Sequence, residues 1–195
     1  MAAGGWYNLQ QHAADPKGAL LQYVASTSNS SSQQYNLDAL VALLQATNKG
    51  FDSETVDGEW TLLLQRQGRN SATAQKLVGK AGGKQVADFD VSQMKFHGVA
   101  TVLKWGKLFS TVSYRPVRDN FSVTANDKRI VIRRIACDIV GAAWKFWRFP
   151  TISLPLRRTG GFLDFVYLDR DIRVTVGNRG GLFVHARPQI AQSIL

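Results

Sequence analysis

Cysteine is almost absent from this chain. Cys137 is the only one in 195 residues, so no disulfide can close within it. It lies in the apolar run Ile135-Ala136-Cys137, the setting of a small core residue rather than a reactive thiol. Histidine is scarce as well. His12, His97 and His185 are scattered, no Cys/His/Asp/Glu group has metal-ligand spacing, and no metal is expected. No apolar run approaches the roughly 18 residues that a membrane-spanning helix needs. The first 32 residues hold no Arg and only Lys17, too little for a convincing transit peptide.

Catalytic patterns are missing too. There is no Gly-x-Ser-x-Gly elbow for an acyl-transfer serine. Gly79-Lys80-Ala81-Gly82-Gly83-Lys84 has one residue too few for a phosphate loop, and Gln85 stands where Ser or Thr is needed. The one close carboxylate pair, Asp169 and Asp171, sits at a turn. There its expected work is to bond turn amides or pair with Arg170, Arg173 or Arg179, not acid/base chemistry. The chain is not expected to be an enzyme.

Positive charge is abundant and uneven. The net charge is +10, with seven Lys/Arg against eight Asp/Glu up to Met94 and seventeen against six from Lys95 onward. A basic half of this kind attracts anionic surfaces through a long-range, salt-sensitive field. Lipid head groups, acidic protein and nucleic acid all qualify, but no recognised nucleic-acid module accompanies the charge, so nucleic acid is the least expected partner.

Hydrophobic periodicity divides the chain. Gly18–Val24 and Leu37–Leu44 read as helices, the second with Leu37, Leu40, Val41 and Leu44 on one face. The Ser/Asn/Gln-rich stretch 26–34 between them reads as a flexible connection. From Glu59 the period changes to two, as in Phe121/Val123 and Ile172/Val174/Val176. Polar, glycine-rich sequence over 68–85 interrupts the strands as a loop with a short helix near 71–78. At least seven strands without helical crossovers imply a mainly β fold whose antiparallel sheet closes or nearly closes. The expected layout is a helical segment, residues 1–56, packed on a barrel, residues 57–195, within one domain.

Two motifs carry a family resemblance. One is the helix followed by Asn48-Lys49-Gly50, an acidic linker and Asp57-Gly58-Glu59-Trp60-Thr61-Leu62-Leu63-Leu64. The other is Tyr167-Leu168-Asp169-Arg170-Asp171-Ile172-Arg173, a strand, Gly177-Asn178-Arg179-Gly180 and Leu182-Phe183-Val184. In this order they resemble the opening and closing signatures of the plastid lipid-associated proteins, or fibrillins. A looser match covers residues 106–114, and the likeness spans about residues 37–187. Val176 departs from the pattern, standing where the family usually has a second arginine. The resemblance implies a lipocalin-like barrel with N-terminal helices, plastid location at thylakoids or plastoglobules, and a bound lipid, isoprenoid quinone or carotenoid, with no other cofactor.

Candidate residues follow from the strand faces. Trp60, Leu62, Leu64, Leu103, Phe121, Val123, Val166 and Leu168 are candidates to line the barrel, whether it is packed solid or holds a ligand. Asp169, Asp171, Arg173, Gly177 and Gly180 form the signature turns. Trp144-Lys145-Phe146-Trp147-Arg148-Phe149 places aromatics on both faces of one strand. One face can fill the barrel; the other meets solvent, a helix, a lipid surface or a protein partner. Trp144, Lys145, Trp147 and Arg148 are therefore candidates for a face that meets an anionic membrane or a subunit of a thylakoid complex. In the second case the protein would be a structural or assembly subunit.

Overall fold

The computed structural model describes residues 13–26, 31–68, 85–102, 106–124 and 127–195, apart from the side chains of 31–35, 118–124 and 127–131. Among the described residues two helices come first, α1 (Pro16–Ala25) and α2 (Ser31–Ala46), then the single turn α3 (Ser53–Val56). Asp15 starts α1 by accepting a hydrogen bond from the Gly18 amide at 2.8 Å, with Pro16 in the first turn, where its missing N–H costs nothing. α2 begins earlier than its apolar stripe predicts. Residues 31–34, expected in the connection, are helical.

Nine strands follow: β1 (Gly58–Arg66), β2 (Gln85–Asp90), β3 (Lys95–Val102), β4 (Gly106–Thr124), β5 (Asp127–Phe146), β6 (Ile152–Leu154), β7 (Arg158–Leu168), β8 (Ile172–Gly177) and β9 (Leu182–Ala186). A C-terminal helix, α4 (Pro188–Ile194), closes the order. All pairings are antiparallel, β1 bonds both β2 and β9, and β4 bonds both β3 and β5. Eight strands thus close a lipocalin-like barrel, with β6 alongside the far end of β5. Closure removes the free edges on which open sheets aggregate. A cross-strand pair, Arg134 on Asp164 at 2.5 and 2.7 Å, pins the β5–β7 register. The interrupting segment 69–84 lies outside the described residues.

Two apolar cores result. The inner one joins Val56, Trp60, Phe89, Tyr114, Ile135, Phe165 and Leu168 within the barrel. The other lies outside the wall, where Leu20, Leu37 and Leu44 of α1 and α2 cover Val166, Ile172, Val174, Leu182 and Val184. The helices therefore shield β7, β8 and β9. The aromatic end of β5 lies away from that shielded wall, with Trp147, Phe149 and Ile152 more than half exposed.

Candidate functional site

The barrel interior begins at Trp60. Its indole N–H donates to the Val56 carbonyl at 2.7 Å, and its ring is fully buried. Arg187 lies 3.9 Å from the ring centroid. From there it donates to the carbonyls of Thr55, Glu59 and Arg170, so one guanidinium ties α3, β1 and the β7–β8 turn together. Of the other lining candidates, Leu168 joins Trp60 in the inner core, and Leu62 faces His185 across the β1–β9 ladder.

Leu64 and Val166 do not line the barrel; both pack in the outer core beneath the helices. The cause is local. The register shifts between Leu62 and Leu64 and again between Phe165 and Tyr167, and a bulge reverses which residues point inward. Leu103 and the side chains of Phe121 and Val123 lie outside the described residues.

Arg173 was legible only as part of a turn signature, yet its side chain is inside the barrel. Val174 and Ile172, its neighbours in sequence, face the helices, so Arg173 points the other way and is 2% exposed. Its guanidinium stands 4.7 Å from the Phe89 ring and 5.3 Å from that of Trp60. Nε and Nη1 have no hydrogen-bond partner among the described residues. Burial and then repulsion from Arg187 depress its pKa to about 9, which still leaves it protonated at neutral pH. Another ionisable neighbour is the Cys137 thiol, itself pushed up to about 12, chiefly by burial. Among the described residues no carboxylate answers this charge.

Other inward polar groups share that condition. His185 sits opposite Arg173 on β9, and burial followed by the Arg173 charge holds it well below the usual histidine range, so it is neutral. Its Nδ1, the Gln65 Oε1 and the Tyr114 hydroxyl are buried without partners among the described residues. Each such group costs about 1–3 kcal/mol if left dry.

The signature carboxylates serve structure. Asp169 accepts from the amides of Asp171 and Ile172 at 2.8 and 2.7 Å, from the Tyr167 hydroxyl at 2.9 Å and from Lys17 at 2.8 Å. Lys17 also reaches Asp171. The cation expected among the nearby arginines is thus supplied by α1, which the turn anchors to the barrel. Gly177–Gly181 forms the β8–β9 hairpin turn, with Gly180 at φ +73°, a conformation that favours glycine.

The far end of β5 carries the other candidate face. Trp144 shares the inward register of Leu108 and is half-buried, so it does not belong to the outer face. Lys145 and Lys107, direct partners across β4 and β5, lie on the outer wall with Phe109 and Trp147 around a concavity of about 270 Å³. Trp147 is 58%, Phe149 61% and Ile152 59% exposed. Trp147 also holds φ +44°, an uncommon, strained state for a bulky residue. Arg148 lies 5.6 Å from its ring.

A closed antiparallel barrel with an enclosed aromatic floor, flanked by helices on one wall, defines a lipocalin-like protein. The sequence profile of the PAP_fibrillin family matches residues 17–186, and the chain belongs to that family of plastid lipid-associated proteins. No curated protein and no solved structure matches it.

Proposed function

We propose that this protein is a non-enzymatic carrier that holds a hydrophobic lipid or isoprenoid, such as a quinone or carotenoid, and docks peripherally on thylakoid or plastoglobule membranes. The observation that carries the docking half is the far end of β5, where Trp147, Phe149 and Ile152 are more than half exposed near Lys107, Lys145 and Arg148. Rings of this kind sit at head-group depth while cations meet anionic lipids. Like charges placed opposite one another on neighbouring strands are unfavourable, and an anionic head group between Lys107 and Lys145 relieves that repulsion. Family membership supports the carrier half.

Flotation with vesicles tests the docking. The protein should float with phosphatidylcholine vesicles containing phosphatidylglycerol and stay behind with pure phosphatidylcholine. Lys107→Glu with Lys145→Glu should lower partitioning by about tenfold or more, at about 1 kcal/mol per basic residue. Equal flotation with both vesicle types, or no effect of the double variant, would sink this reading. The same face supports docking on a protein complex as a second reading, since aromatic and basic residues also dominate protein interfaces. Gel filtration of native extract separates the two: elution at monomer mass alone removes the second.

A further inference from the structure

The interior holds a fixed positive charge that nothing within the described residues neutralises. Arg173 reaches from β8 to the ring of Phe89 on β2, bringing its guanidinium across the floor of the barrel. Two of its nitrogens are buried without an acceptor among the described residues. Rings offset part of the desolvation of a guanidinium, but they accept none of its hydrogen bonds, and an unpaired buried charge is among the costliest features a core can carry. The partner of Arg173 on β9, His185, adds a buried Nδ1 that has no hydrogen-bond partner among the described residues, and the Tyr114 hydroxyl, in the same inner core, shares that condition. A core built for packing alone would have an apolar residue at position 173.

We infer that Arg173 is the anchor for the acidic head of an amphiphile held inside the barrel, a carboxylate or a phosphate monoester on a long apolar chain. The guanidinium fork matches either head in a bidentate pair. The neutral His185 ring beside it can donate a further bond from one nitrogen. The apolar chain then lies against the inward wall. The inference rests on the reading that the interior takes a lipid and adds to it the chemistry of the head group.

The test compares ligands matched in all but the head: oleic acid against oleyl alcohol, and farnesyl monophosphate against farnesol. Binding is followed by titration calorimetry and by the rise in unfolding temperature of the full chain. The wild type should bind at least one acid about tenfold or more tightly than its alcohol, and the acid with the larger preference identifies the head. Arg173→Met should bind acid and alcohol alike, whereas Arg173→Lys should keep part of the preference. Without ligand, Arg173→Met should melt no lower than the wild type, because it removes an unpaired buried charge. A lower melting temperature for that variant would make Arg173 a structural residue and overturn the proposal. Wild-type binding of acid and alcohol with equal affinity would overturn it while leaving lipid binding intact, a comparison that needs no variant to fold. Binding of neither ligand would overturn both readings.

Discussion

Two clusters in this molecule use the same chemistry, aromatic rings beside arginine, one inside the barrel and one outside. Inside, Trp60 and Phe89 hold Arg187 and Arg173 within contact distance, and both rings are buried. Outside, Trp147 and Phe149 stand mostly exposed with Arg148 beside them. Composition does not tell these apart. What separates them is closure: the inner cluster is walled by strands and gripped by hydrogen bonds from Arg187, while the outer one stands more than half exposed, away from the wall that α1 and α2 cover. The difference predicts that the first governs folding and the second association.

The widest separation should come from the two tryptophans. Trp60→Ala empties a fully buried site and drops the indole bond to Val56, so it should cost about 3–5 kcal/mol in urea unfolding. Trp147→Gly removes an exposed ring and relieves its left-handed backbone. It should leave stability unchanged or raise it by up to about 1 kcal/mol, while lowering vesicle flotation. Comparable losses of stability from both variants would abolish the contrast.

The two arginines test the same contrast at lower amplitude. Arg187→Ala surrenders bonds to three carbonyls on separate elements, and should destabilise by about 2 kcal/mol. Arg187→Lys should recover less than half, because a single ammonium cannot span three acceptors as a fork does. Arg148→Ala should shift stability by no more than about 0.5 kcal/mol. An Arg187→Lys protein as stable as the wild type would show that charge near Trp60, not the geometry of the fork, matters there.

Much of the barrel was legible because strand alternation and turn residues are local signals. The hairpin at Gly177–Gly181 and the strands of β7, β8 and β9 follow from them directly. Which face points inward was not. Ile172, Val174 and Val176 are the apolar residues of β8, and an oily face reads as the lining of a barrel. Here that face is the outer wall, dry because α1 and α2 cover it, and Arg173 and Thr175 take the interior. A strand buried on both sides carries no sequence mark of which side is which. The bulges that turn Leu64 and Val166 outward are equally silent, since each adds one residue without a glycine to announce it. The aromatic end was visible as a surplus of rings. That α1 and α2 cover another wall depended on their docking site, set by the apolar outer face of β7–β9 and by Lys17 meeting Asp169 over 152 positions of sequence.

That contact supplies the smallest effect and bears on how the inner cluster stays enclosed. Arg187 grips the turn that Asp169 organises, donating its side chain to the Arg170 carbonyl and its amide to that of Asp171. Burial alone would raise the Asp169 carboxyl, but the Lys17 ammonium and the amides of Ile172 and Asp171 outweigh it and hold the pKa below the ordinary aspartate value. A carboxyl depressed in the folded state contributes stability that is fully present above its unfolded pKa of about 4 and is lost as pH falls through the folded value. The partial exposure of both partners screens the pair, which limits the contribution to about 1 kcal/mol. Urea midpoints between pH 7 and pH 3 should therefore fall more for the wild type than for Asp169→Asn, which has no charge there to lose. If Arg187 grips a turn that needs this charge, Arg187→Ala should also shrink the acid-dependent loss, because the turn would no longer transmit its order to Trp60. Identical pH slopes in the wild type and Asp169→Asn would detach the turn from the enclosure of the inner cluster and leave the strands alone to account for it.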